Sequence, residues 1–115
     1  MPKYAFLFID DGVDYQTNPT PEQQAVYQDI FKWFETNGPS IADGGAELQP
    51  TSTATTIRKQ GGKVSVVDGP FIEAKESIGG FTIFEVPDKA AAIAIAKTWP
   101  GHAIEIREIV DHGQE

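Results

Sequence analysis

The densest group of reactive side chains in the chain is Asp68-Gly69-Pro70-Phe71-Ile72-Glu73-Ala74-Lys75-Glu76, with Gly79-Gly80 close behind. Turn formers there surround a lysine and several carboxylates. In an extended segment Glu73 and Lys75 share a side. Carboxylates near an ammonium are the ingredients of acid–base chemistry, because neighbouring charges separate their proton affinities. The same residues also make an ordinary turn with a solvated ion pair, the commoner fate of a surface charge run. Other candidates carry less. His102 follows Pro100-Gly101 between two elements and could titrate near neutrality, but reads first as a loop histidine. His112 is in the polar tail. Asp10, Asp11 and Asp14 could surround a hard cation, yet their spacing lacks a full oxygen-ligand pattern. There is no phosphate-binding glycine loop, Ser-His-Asp set or Glu-rich metal helix pair.

Composition narrows what this cluster can serve. The 115 residues fit one domain and bury about two-thirds of the unfolded chain's surface. Acidic side chains outnumber basic ones, 17 to 9, for a net charge of −8. That balance argues against nucleic acid or an anionic membrane as main partner. No cysteine is present, which excludes disulfides, thiolate catalysis and Cys-based zinc sites. Apolar runs are too short for a membrane span, and Met1-Pro2-Lys3-Tyr4 leads directly into a strand-like run rather than a signal segment. The expectation is a cytoplasmic protein.

The elements that must position the cluster follow from periodicity. Tyr4 to Ile9 is apolar on both faces of a strand, the mark of a strand buried on both sides. Asp10 to Pro19 reads as an acidic loop. Thr20, Pro21 and Gln23 form the start of a helix with a capping box. Val26, Ile30, Trp33 and Phe34 give that helix a core face, widened by Tyr27 and Phe31, and Gly38 suits a left-handed cap. A short strand, Ala46 to Gln49, stops at Pro50. Thr55 to Lys59 and Lys63 to Val67 flank Gln60-Gly61-Gly62 as a hairpin. Gly80 to Val86 is a second doubly apolar strand. Asp88 caps a second helix packed through Ala92, Ile93, Ala96 and Trp99. Ala103 to Val110 alternates like an edge strand, and Asp111 to Glu115 is tail. The order is that of a split βαβ, ferredoxin-like α+β fold with an inserted β-hairpin. Its helices cover one sheet face only. The other face is apolar, so the expected partner is a second copy, giving a homodimer through the open sheet face.

The run DGPFIEAKE at 68–76, with IGGFTIFEV at 78–86, GGAELQP at 44–50 and ATTIRKQGGKVSVVDGPF at 54–71, resembles the DGPF branch of the YCII-related family over nearly the whole chain. The resemblance implies a dimeric α+β barrel and a polar cleft around the DGPF segment. It implies no single reaction: some relatives are linked to extracytoplasmic-function sigma factors, others resemble small isomerases or dehalogenases of aromatic breakdown products. The YciI branch resembles a His–Asp enzyme, but here no histidine precedes the motif. Matched to the family pattern, Asp68 is a general base or substrate-orienting group, or else a turn cap. Lys75 binds an anion or steadies an enolate-like charge, or pairs with Glu73 or Glu76. Glu76 is the alternative base and Glu73 a supporting acid. Arg58 clamps a carboxylate or bridges to the motif. Phe71 is a pocket wall or core residue, and Gly79 admits close approach of a ligand, or makes a turn.

The expected function is therefore acid–base chemistry, isomerisation or elimination, on a small anionic molecule. Asp68, Lys75 and Glu76 would be catalytic, and Arg58, Phe71, Glu73 and Gly79 would hold substrate. Neither cofactor nor metal is needed. The alternative is a ligand-binding or regulatory module without catalysis, acting beside an extracytoplasmic-function sigma factor.

Overall fold

A computed structural model of the chain describes residues 1–10, 19–70 and 76–113. The chain order is β1 (Lys3–Asp10), α1 (Pro21–Asn37), β2 (Ile41–Glu47), β3 (Thr55–Gln60), β4 (Lys63–Asp68), β5 (Ser77–Glu85), α2 (Lys89–Ala96) and β6 (Ala103–Glu108). Four strands form an antiparallel sheet in the order β2-β5-β1-β6, while β3 and β4 form a separate two-stranded sheet. The doubly apolar strands β1 and β5 take the centre and the alternating β6 takes an edge. This α+β layout is compatible with a ferredoxin-like fold.

The central pair sets the core. Tyr4 lies opposite Phe84 and Phe6 opposite Thr82, so these residues share the face that the helices cover. Phe6 and Phe84 are fully buried and stack at 4.2 Å. Trp33 from α1 meets Phe84 edge-on at 5.6 Å, and Ala92 from α2 is buried beside them. The indole Nε1 of Trp33 donates to Thr98 Oγ1 at 2.7 Å, so its polar edge does not cost the core an unmet donor.

Local chemistry accounts for the boundaries. Thr20 and Gln23 complete the capping box: the Thr20 hydroxyl accepts from the Gln23 amide and the Gln23 side chain accepts from the Thr20 amide. Asp88 caps α2 by accepting from the Ala91 amide. Gly61 and Gly62 take φ values of 55° and 79°, the two positive angles that a tight hairpin turn requires. Three expectations shift. Gly38 is not left-handed: its φ is −47°, and the helix runs on into a 3-10 turn over Gly38–Ser40. The second strand starts earlier than Ala46, because irregularities around Asp43 and Gly45 absorb residues that strands usually exclude. β5 likewise starts at Ser77, since Gly79 is accommodated as a bulge between the Phe8–Gly80 and Ile9–Ile78 pairs.

Phe84→Ala is expected to cost about 3–5 kcal/mol in urea unfolding, through cavity formation beside Phe6 and Trp33. A second expectation concerns alkali. Burial pushes the Tyr4 phenol above its usual 10.0, and the charges of Glu108 and Asp88 add to the rise. The folded state favours the neutral phenol, so this stabilisation is intact below the unfolded value and is lost as pH climbs through the raised folded value. Melting temperature should fall more steeply above about pH 10 in the wild type than in Tyr4→Phe.

Candidate functional site

Because β1 runs antiparallel to both its neighbours, its C-terminal end meets the N-terminal ends of β5 and β6. Asp10 pairs with Ser77 and Ile9 with Ala103. The residues just before those two strands, Glu76 and His102, are thereby brought together across the end of β1. His102 Nε2 lies 2.5 Å from Glu76 Oε2. Both side chains remain partly open to solvent, at 43% and 59% exposure. A carboxylate on one ring nitrogen fixes the orientation of the imidazole and leaves the other nitrogen to act on a ligand. Beside this pair the Ser77 hydroxyl donates to Asp10 Oδ1 at 3.0 Å.

Next to these polar groups lies a cleft of about 570 Å³. Its floor is the helix-covered face of the sheet at Phe8, Gly80 and Thr82. Its roof is the α1 stripe Val26, Tyr27, Ile30, Phe31 and Phe34, and its side is β2 with the segment as far as Thr51. Trp99 and His102 close one end. The α1 stripe is thus divided: Trp33 enters the core, while Phe31 stays 69% exposed at the cleft. The aromatic walls hold one another. Phe8 stacks on Trp99 at 4.4 Å and meets Phe34 edge-on at 5.7 Å. Among the described residues the cleft lining includes Asp10, Glu47 and His102 but no lysine or arginine.

Side chains approach the backbone closely at two glycines at this end of the sheet. A Cβ on Gly79 would stand 2.8 Å from Asp10 Oδ2, and one on Gly101 would stand 2.5 Å from Trp99 Nε1. That indole nitrogen is the side-chain polar atom found buried without a hydrogen-bond partner among the described residues, at a typical cost of about 1–3 kcal/mol. Gly101 therefore lets the loop before β6 lie flat on Trp99 and sets the position of His102.

Of the residues expected from the sequence, Glu76 and Gly79 belong to this end of the sheet. Asp68 does not line the cleft: it is exposed at the end of β4, opposite Thr55. Arg58 is exposed on β3 and also lies away from the lining. Phe71, Glu73 and Lys75 lie outside the described residues, as do Asp11 and Asp14. Sequence reasoning weighed His102 but read it first as a loop histidine, since its partner is 26 positions away, and read Trp99 as core packing alone. The cue available was topological: both dyad residues directly precede strands that flank β1. Among the described residues no group of three or more His, Asp or Glu is placed to hold a metal ion, and no helix is long and apolar enough to cross a membrane.

Comparison with known proteins agrees with the family resemblance. An uncharacterised protein of Rhizobium meliloti (strain 1021) is 38% identical over 52 residues, which is 45% of this chain and 42% of the relative. The chain thus matches less than half the length of that protein. The family model for the YCII-related domain matches residues 13–112, and on that match the chain belongs to the YCII-related domain family.

Proposed function

We propose that the chain is a small enzyme of the DGPF branch that performs acid–base chemistry in the aromatic cleft, with His102 moving the proton. The single observation carrying this reading is the 2.5 Å His102–Glu76 pair at the end of a cleft walled by Phe8, Tyr27, Phe34 and Trp99. Glu76 keeps the role of a site acid, as the residue that positions His102 rather than as the base itself. The neutral imidazole takes a proton from a C–H or O–H of the ligand. It then returns that proton to a second atom of the same molecule, an isomerisation, or the electron pair expels a leaving group, an elimination. A steep aromatic pocket favours a small ring-bearing molecule. The described lining holds no lysine or arginine, so the cation for an acid group on the ligand falls to the motif. Lys75 remains the proposed anion-binding residue on the strength of the motif alone. The absence of cysteine fits a reducing compartment, and the reading places the protein in the cytoplasm.

A homodimer is part of the proposal. Leu7, Ile9, Phe81 and Ile83 share the sheet face that neither α1 nor α2 covers, and Phe81 is 37% exposed. A second copy of the chain is the partner that would bury the same patch on both sides.

The first test is a thermal-shift screen with small carboxylic acids, lactones, phenols and aromatic amines, followed by turnover assays on the compounds that bind. Binding raises the melting temperature by mass action. His102→Gln should melt like the wild type, since the side chain is exposed, and should still bind, but should turn over about 10²–10⁴-fold more slowly. Wild-type turnover in His102→Gln would overturn the catalytic reading, and binding without turnover in the wild type would favour the ligand-binding module. Gly101→Ala should lower kcat more than it raises KM, because the added methyl group displaces the loop from Trp99 and moves His102. An unchanged kcat would remove the positioning role given to Gly101.

A further inference from the structure

Asp10 ends β1 between the two strands that flank it. Across β5 its partner is Ser77, and on the other side Ile9 pairs with Ala103, so His102 directly precedes the neighbouring strand. Adjacent strands lie about 4.8 Å apart, which puts positions 10 and 102 side by side at this end of the sheet. Both residues line the cleft. In the acid–base reading His102 moves the proton and Glu76 acts through it, and Asp10 is given no task.

Two contacts place the Asp10 carboxylate. The Ser77 hydroxyl donates to Oδ1 at 3.0 Å. Oδ2 lies 2.8 Å from where a Cβ on residue 79 would stand, so the carboxylate occupies room that any larger residue at 79 would take. The neighbouring glycine serves a different purpose. A Cβ on Gly80 would stand 2.8 Å from the Ala46 carbonyl oxygen, so Gly80 admits the backbone of β2 and Gly79 admits the carboxylate.

A carboxylate accepts hydrogen bonds and donates none, and its two oxygens offer about four lone-pair positions, so the Ser77 bond does not exhaust it. Such an acceptor on the wall of an aromatic cleft discriminates between ligands. A hydroxyl or amine gains a charge-assisted hydrogen bond. An ether or a hydrocarbon of the same shape must desolvate the carboxylate with no bond in return.

We propose that Asp10 is a specificity-determining residue of the cleft, and that the ligand is a ring bearing a hydroxyl or amino group whose O–H or N–H donates to the Asp10 carboxylate. The ring itself lies among Phe8, Tyr27, Phe34 and Trp99. This rests on the aromatic-cleft reading above and names the substrate class for it. A ligand held at the end of β1 is oriented toward His102 on the adjacent strand.

Isothermal titration calorimetry tests it on the full chain. The probes are naphthol, naphthylamine and methoxynaphthalene, substituted at the same carbon, since a cleft of about 570 Å³ holds a two-ring molecule. The wild type should bind naphthol and naphthylamine about tenfold tighter than the methyl ether. Asp10→Asn, nearly the same size, should keep the circular dichroism and the methyl ether affinity of the wild type and cut the preference to about threefold or less. Ser77→Ala and Gly79→Ala, which displace the carboxylate without removing it, should narrow the preference in part. An Asp10–Ser77 bond that merely braces the strand ends would shift all three affinities together in Asp10→Asn, and an unchanged ratio there overturns the proposal. Equal affinities in the wild type overturn it as well. Should Asp10→Asn fail to fold, a wild-type ratio in Ser77→Ala and Gly79→Ala rejects the placement of the carboxylate. Failure of all three probes to bind overturns the proposal and the aromatic-cleft reading together, whereas the turnover of His102→Gln tests the acid–base reading alone.

Discussion

The fold depends on the antiparallel pairing of two strands that are apolar on both faces. β1 and β5 place Tyr4 against Phe84 and Leu7 against Phe81, so one register produces two hydrophobic surfaces. Two helices cover only one of them. On the covered side the Phe6–Phe84 stack and the Trp33 indole make a dry core. Aromatic contacts of this kind are worth about 0.5–1.5 kcal/mol each beyond the area they bury. Everything else is arranged around what that core leaves unfilled.

The cleft is one such remainder. Helix α1 has a stripe wider than the core can accept. Trp33 satisfies the core, and Val26, Tyr27, Ile30 and Phe31 are left to roof a space over β5 and β2. Sheet geometry then supplies the polar end without any further device. A central strand flanked by two antiparallel neighbours gathers the residues preceding both neighbours at its C-terminal end. Glu76 and His102 meet for that reason, and the glycine at 101 fixes how closely the loop follows Trp99. The His102–Glu76 contact is therefore set by where β5 and β6 begin.

Much of the fold was legible because its signals are local. Capping residues at Thr20 and Asp88, the paired glycines at 61 and 62, and the two doubly apolar strands each state their role within a few positions. The strand order followed from them. What escaped was of two kinds. Asp43, Gly44 and Gly45 look like a loop by propensity, yet β5 recruits them into an edge strand because bulges cost less than leaving its backbone groups unpaired. The site was legible only in part. The motif led to Glu76 and Gly79, both at the sheet end, but also to Asp68 and Arg58, which the hairpin carries away from the cleft. His102 was ranked low because its contact with Glu76 joins distant positions, which no spacing rule detects.

The same reasoning explains why the motif straddles two structural tasks. Its first residue ends the strand of an exposed basic arm, and its last residue faces the histidine at the cleft. In a chain this small the cleft and the second apolar sheet face are built on the same two central strands. In the proposed dimer, burial of Leu7 and Phe81 would stiffen the strands whose ends hold Asp10 and Ser77. On that proposal, pre-organisation of the candidate site would follow from covering the sheet, a role for the apolar open face beyond solubility.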